Sequence, residues 1–384
     1  MTVAEQPTAT NTRAVPGGQA DTVRPALVTF LIVKLLILGL GAIGYQVLTD
    51  TALPTGRDWL AIWNLWDAPH YLDLAQYGYE ATGERADWLV FYPLFPWLTR
   101  LVGLPFGDYL IGAFIVSTVA SFVMVLLLYR LVRLDHDAAT ANRTVWFLAI
   151  FPTAYILHIG YTESLFISLV LGSFLSARAN RWPLVALLGA LACLTRVNGL
   201  LLIPALAIEP ALQLWRTRRF DRRWLWLAAI PLGFGGYLLL NYRVTGDPFA
   251  FLAITRERWF KSMAPPWTGI AAMFASLSWR PPFEIWTVIW QQALFIVIGA
   301  VGAVAAWRWL RPSYAVWIAL NLLLFTSTSF ILSVPRYSLI LFPLPLLCAL
   351  LARRPLWHNA LTACSLLLLM LLAVLFLMQR GMAY

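Results

Sequence analysis

The chain has 384 residues, of which 60% are hydrophobic and 12% charged, with a formal net charge of +10. Soluble domains carry about 25% charged residues, and the mean hydropathy here is +0.73, so a soluble fold is excluded and a membrane protein expected. Its arginines cluster at the ends of apolar runs, where positive-inside topology puts them, which turns the basic balance away from nucleic acid.

Residues 1–24 are polar and rich in Thr, Ala and Gly, and read as a disordered cytoplasmic tail. The apolar run at about 25–47 is long enough to span, and no A-x-A-like site follows it, so it reads as a retained anchor. Residues 25–384 then form one membrane domain. Further runs that could span fall at 108–132, 143–160, 163–178, 224–241, 285–307, 314–333, 337–352 and 359–378. Many of the 19 tryptophans flank these runs, as in an interfacial belt. Cys193, Cys348 and Cys364 all lie inside apolar runs, with no disulfide framework or metal-type spacing.

Arginine placement orients the set. Arg130, Arg133 and Arg143, then Arg178 and Arg181, then Arg216 to Arg223, then Arg308 and Arg311, then Arg353 and Arg354 mark five cytoplasmic loops. Loop 48–107 has the opposite balance, with Asp50, Asp58, Asp67, Asp73, Glu80, Glu84 and Asp87 against three arginines, so it is expected outside. Within it, Trp59, Ile62, Trp63, Trp66, His70 and Leu74 follow helical spacing, which predicts an interfacial helix near 58–77, interrupted at Pro69. The apolar stretch 183–215 has arginines at both ends. A single span would violate the bias, whereas a hairpin of two half-helices with its tip at Leu194 to Gly199 satisfies it. The expected fold is an all-α polytopic membrane protein of about eleven membrane helices, including a short re-entrant-type hairpin, with large outer loops at 48–107 and 242–284. The N-terminus would be inside and the C-terminus outside.

Five groups could carry chemistry. Asp67, His70 and Asp73 are spaced i, i+3, i+6, and beside Trp66 a partly dry carboxylate could serve as a general base. They could also be acids on a solvated helix face, or hold a divalent metal with help from another loop. Phe91 to Arg100, with Tyr92, reads as a rigid turn into the next helix, with Arg100 capping it. Glu163, in Gly160-Tyr161-Thr162-Glu163-Ser164, either caps a helix through its dipole or faces the same cavity as Asp67. Arg196 and Asn198 at the hairpin tip are costly at membrane depth and therefore a functional hypothesis, or else Arg196 is a buried structural arginine paired with one of the loop acids. Arg336 and the arginines of loop 242–284, Arg256 and Arg258 among them, suit a phosphate group, because guanidinium forks bind it bidentately; Arg336 could equally snorkel to the interface. Dinucleotide and nucleotide glycine loops, nucleophile elbows and H-E-x-x-H are absent, so no cofactor or metal motif is present.

Four stretches occur in the order W-D-A-P-H-Y-L-D-L-A-Q-Y-G-Y-E (66–80), F-Y-P-L-F-P-W-L-T-R-L-V-G (91–103), I-F-P-T-A-Y-I-L-H-I-G-Y-T-E-S-L-F (150–166) and L-G-A-L-A-C-L-T-R-V-N-G-L-L-L-I-P-A-L (188–206). As a set they resemble the PIG-V-type mannosyltransferases, a branch of the GT-C membrane glycosyltransferases. V-P-R-Y-S-L-I-L-F-P-L (334–344) is similar to a late stretch common in GT-C enzymes. The resemblance implies a site at the outer face, a polyprenyl-phosphate sugar donor, a lipid or glycan acceptor, and an essential acid at the Asp67 position. Glu163, Arg196 and Asn198 fall on other motif positions. Arg- and Ala-rich usage points to a bacterial plasma membrane. Two readings from other classes remain beside this one: a transporter or flippase for a lipid-linked sugar, and a non-catalytic subunit of another membrane enzyme.

Overall fold

The computed structural model describes residues 22–52 and 54–380. Nearly all of the tail 1–24 lies outside the described residues, as do 381–384. Among the described residues the chain is helical with no strands, apart from one isolated bridge between Met263 and Thr328. Six helices are long and apolar enough to cross a membrane: Arg24–Thr49, Tyr109–Arg133, Val197–Thr217, Arg222–Thr245, Pro282–Trp309 and Pro355–Leu377. Two bent pairs bring the number to eight if each is one span. They are Glu84–Val90 with Leu94–Phe106, bent by 117°, and Val334–Ile340 with Pro343–Leu351, bent by 83°. The chain is an integral membrane protein. The first and last long helices turn Leu31, Ile32, Leu35, Leu36, Leu367, Met370 and Leu371 outward, as a lipid-facing surface requires.

Several expected spans are shorter, for local reasons. The run at 143–160 is α-helical only as Ala138–Ala149, followed by the 3-10 helix Ala154–His158, because Pro152 disfavours helix at the residue before it and cannot donate. The run at 163–178, by contrast, keeps its bounds as the helix Glu163–Arg178. The run at 314–333 is Pro312–Thr326. In the outer loop the interfacial helix is two pieces, Asp58–Ala61 and Ala68–Tyr77. The break does not fall at Pro69, which sits in the first turn of the second piece, where its missing N–H costs nothing. It falls just before, at Trp66, whose φ of 61° is left-handed. Arg100 caps backwards and not forwards: its Nη1 donates to Ala75 O and Gln76 O at the end of the 68–77 helix.

The hairpin is present, with unequal arms. Trp182–Cys193 is a half-helix of 12 residues. The second arm, Val197–Thr217, is long enough to span, so it is not the half-helix expected. One charged cluster fixes the geometry. Asp135 pairs with Arg178 at 2.7 Å and Arg311 at 3.1 Å, and Arg311 reaches Glu209 at 3.2 Å. The outer ends of both arms therefore lie at one end of the bundle. Burial pushes the Asp135 carboxyl up, but hydrogen bonds from Arg178 and Arg311 outweigh it and hold the group well below the usual carboxylate range.

Close packing of the hairpin depends on glycine. A Cβ at Gly199 would lie 2.5 Å from Cys193 N, and one at Gly233 would lie 1.8 Å from Ala190 O. Gly235, in the same helix as Gly233 (Pro231–Thr245), has nothing within 4 Å. Both gain helix propensity on change to alanine. Gly233→Ala is therefore expected to lower the thermal midpoint in detergent by the equivalent of about 1–3 kcal/mol, while Gly235→Ala holds or raises it. Equal midpoints for the two variants would contradict this packing.

Candidate active site

Four charged side chains meet where four helices are interrupted. Asp67 follows the left-handed Trp66 and precedes the 68–77 helix; its carboxylate does not cap that helix. Glu163 is the first residue of its helix. Arg196 stands in extended backbone, φ −158°, between the arms of the hairpin. Arg336 lies in the one-turn helix Val334–Tyr337, which starts after the left-handed Ser333 and is tied by Val334 N–H donating to Gln292 Oε1 at 2.8 Å.

Glu163 is at the centre. Its Oε1 accepts from Arg336 Nε at 2.5 Å and from Arg196 Nη1 at 2.7 Å. Arg336 Nη1 donates to Asp67 Oδ2 at 2.5 Å, and Arg196 Nη1 also donates to Thr162 Oγ1 at 3.0 Å. Two carboxylates thus balance two guanidiniums. Side-chain exposure is 0% for Glu163, 3% for Arg336, 14% for Arg196 and 20% for Asp67. The planar fork of arginine suits such sharing, since separate N–H groups can serve separate acids. Removing one partner from a buried pair strands the other.

The stretch 150–162, which holds only the short 3-10 helix Ala154–His158, keeps these parts in register. Its backbone carbonyls are claimed by side chains of other elements: Lys34 Nζ donates to His158 O at 3.1 Å, Ser117 Oγ to Tyr161 O at 3.1 Å and Ser164 Oγ to Leu157 O at 2.9 Å. In return, Thr153 Oγ1 donates to Pro335 O at 3.1 Å, beside Arg336, and Tyr161 O–H to Leu65 O at 2.7 Å, beside Asp67. The Arg336 guanidinium lies 4.6 Å from the centre of the Tyr161 ring, a cation–π distance. Unwound backbone at membrane depth needs such partners.

A cavity of about 300 Å³ opens onto the cluster. It is lined by Asp67, Tyr92, Arg196, Asn198 and Arg336 of the residues singled out from the sequence. Glu163 does not line it and stands behind the two arginines, as a positioning group. Asn198 Nδ2 donates to Asn321 Oδ1 at 2.8 Å, which ties the hairpin tip to the 312–326 helix. Tyr92 stacks on Tyr237 with ring centres 4.1 Å apart. Trp66, His70, Asp73, Arg256 and Arg258 do not line the cavity. Arg256 pairs with Glu257, and Arg258 with Asp87, both in the open. His70 stacks on Trp88 at 3.7 Å, with Phe91 and Trp259 around it. Burial there pulls its pKa down, against the raising effect of Asp67 and Asp73, which favours the neutral ring. Among the described residues no group of three or more His, Cys, Asp or Glu is placed to hold a metal ion.

Sequence reasoning passed over Lys261, Tyr71, Thr162 and Tyr337, which also line the cavity. Lys261 has no carboxylate partner among the described residues and lies 5.8 Å from the ring centres of Phe330 and Tyr337. In the sequence it looked like any other cation of loop 242–284. Strand-like pairing of 262–264 with 327–329 brings it in: Ser329 N donates to Ser262 O, Ala264 N to Ser327 O, and Ser262 N to Ser329 Oγ.

If Glu163 anchors both arginines, Glu163→Gln leaves buried positive charge short of a partner. Thermal unfolding in detergent is expected to show a loss of about 3–5 kcal/mol. Arg256→Gln and Arg258→Gln, which break only exposed pairs, are expected to stay within about 1 kcal/mol of the parent.

Comparison with known proteins adds three findings. A family model described as dolichyl-phosphate-mannose-protein mannosyltransferase matches residues 92–235, less than half of the chain. That stretch includes Tyr92, Glu163, Arg196 and Asn198, and stops short of Lys261 and Arg336. A search of curated proteins finds no match. Among solved structures, the oligosaccharyltransferase of Archaeoglobus fulgidus in its apo form is similar at 13% identity and a TM-score of 0.48, over 94% of this chain and 56% of that one. The same protein complexed with Zn and sulfate is similar at 14% identity and a TM-score of 0.44, over 92% and 52%. The chain therefore spans about half the length of the solved proteins it matches.

Proposed function

We propose that the chain is a GT-C-type membrane glycosyltransferase that moves a sugar from a polyprenyl-phosphate carrier to a hydroxyl of a lipid or glycan acceptor at the outer face of the membrane. The PIG-V-type resemblance and the mannosyltransferase match over 92–235 both favour mannose as the sugar. The observation that carries the reading is one cavity lined by a carboxylate, Asp67, and by two cations, Arg196 and Lys261, beyond the buried Arg336.

In the proposed reaction the acceptor oxygen attacks the anomeric carbon as the bond from that carbon to the carrier phosphate breaks. The new C–O bond forms on the opposite face, so the configuration inverts. Arg336 holds Asp67 by Oδ2, and Oδ1 takes the hydroxyl proton. The electron pair of the broken bond stays on the phosphate oxygen, which gains one negative charge. Arg196 and Lys261 stabilise that charge as it develops. The Arg336 guanidinium suits a phosphate by type, but Glu163 and Asp67 occupy its Nε and Nη1, so we assign it to orienting the base. Arg256 and Arg258 lie outside the cavity and have no part in this scheme. A cavity of about 300 Å³ is at the small end for ligand sites; it suits a sugar and a phosphate, and the polyprenyl tail lies outside it, between helices.

Proteoliposomes supplied with radiolabelled polyprenyl-phosphate mannose and a mixed lipid and glycan acceptor pool test the scheme. Asp67→Asn is expected to lower kcat roughly 100- to 10,000-fold, with a smaller loss of melting midpoint than Glu163→Gln, because Arg336 keeps Glu163 as a partner. Lys261→Ala is expected to raise the donor KM about tenfold, and Arg258→Ala to leave it unchanged. Full transfer by Asp67→Asn would remove the base. Movement of label across the vesicle wall without transfer would favour the transporter reading.

A further inference from the structure

The end of the bundle that carries the balanced Asp135, Arg178, Arg311 and Glu209 cluster also carries a turn of different character. Residues 215–226 read Trp-Arg-Thr-Arg-Arg-Phe-Asp-Arg-Arg-Trp-Leu-Trp, with five arginines and one acid. That acid is already engaged: Asp221 accepts from the backbone N–H of Arg223 at 2.9 Å and pairs with the Arg223 guanidinium at 2.8 Å. Arg216, Arg218, Arg219 and Arg222 are exposed, and among the described residues none of them has a carboxylate partner.

The turn is a built structure. The Leu202–Thr217 helix stops at Arg218, whose φ of 55° is left-handed and whose N–H donates to Leu214 O at 2.8 Å. Thr217 Oγ1 donates to Gln213 O and accepts from Arg219 N–H. Phe220 packs edge-on against the buried Trp224, with ring centres 5.4 Å apart. Large apolar side chains stand exposed among the arginines: Trp215 at 68%, Phe220 at 59%, Leu225 at 62% and Trp226 at 48%. The turn also joins two helices, Val197–Thr217 and Arg222–Thr245, each long and apolar enough to cross a membrane. A rigid turn between two such helices lies at a membrane surface, where aromatic rings settle at headgroup depth and arginines meet lipid phosphates.

We propose that the 215–226 turn is a binding site for anionic phospholipid headgroups of the leaflet it borders. Arg216, Arg218, Arg219 and Arg222 engage the phosphates, and Trp215, Phe220 and Trp226 anchor beside them. A soluble acidic partner would account for the arginines but not for four large apolar side chains held in the open among them. The turn shares no residue with the Asp67 cavity, so the proposal stands apart from the reaction assigned there. Bound headgroups fix the depth of the 202–217 helix, whose other end leads through Val197 to Arg196.

Spin-labelled lipids test the site on the full chain in bilayers. The relative association of labelled phosphatidylglycerol and phosphatidylcholine is measured by electron paramagnetic resonance. At low ionic strength the parent is expected to favour phosphatidylglycerol, by roughly fivefold for each arginine in contact, and the preference should shrink as salt is added. The variant with Arg216, Arg218, Arg219 and Arg222 all changed to Gln is expected to lose the preference, and the matching variant with all four changed to Lys to keep it. Equal association of the two lipids with the parent overturns the proposal. So does undiminished selectivity in the Gln variant, or loss in the Lys variant while its melting midpoint stays at the parent value.

Discussion

One buried carboxylate sets the terms for the rest of the site. Glu163 is fully enclosed, and an ionised acid in such a place is tolerated only with cations and donors around it. Its partners come from far along the chain, 33 residues away at Arg196 and 173 away at Arg336. To reach it, the hairpin must break at Leu194 and the late helical region must break after Thr326. Arg336 then has a second fork to offer, and Asp67 takes it. The position of Asp67 thus depends on Glu163 without touching it.

The interruptions share a logic. Each stretch without regular helix at depth either carries a site residue or supports one: Trp66 turns the chain into Asp67, residues 150–162 run into Glu163, and Leu194 to Arg196 form the hairpin tip. Backbone freed from the helical ladder must find other partners inside a membrane. Lys34 and Ser117 supply donors to carbonyls of the 150–162 stretch, while Thr153 and Tyr161 send donors out from it. These interruptions thus gather round the cavity, whereas Arg24–Thr49, Tyr109–Arg133 and Pro355–Leu377 are continuous α-helices.

Much of this could be read from residue types alone. A charge inside an apolar stretch is expensive enough to stand out, which singles out Arg196; Glu163 and Arg336 stand at turns beside apolar runs, and the three share one cluster. Arginines at both ends of 183–215 pointed to a hairpin, and the chain does turn at 194–196, between arms of unequal length. What escaped were properties set by contacts between distant segments. Lys261, Arg256 and Arg258 are indistinguishable in a list of loop cations; only the pairing of 262–264 with 327–329 turns the first into the cavity and leaves the others in solvent. His70 has the spacing of a catalytic neighbour, yet Trp88 captures its ring. Lys34 was visible as a lone cation in the first apolar run and was passed over, although its burial against His158 makes it part of the scaffold. Helix ends at Ala149 and Thr326 were missed because hydropathy continues past both, while Pro152 and the backbone of 327–333 end the helix.

The sharing of Glu163 has a consequence for how the protein is made. Asp67, Glu163 and Arg196 leave the ribosome well before Arg336. Until Arg336 is made, two carboxylates have one guanidinium to share, and Asp67 lacks the donor that holds its Oδ2 in the finished site. Maturation of the site is therefore tied to completion of the chain: a product truncated before residue 336 retains the acid at position 67 but has nothing to hold it in place.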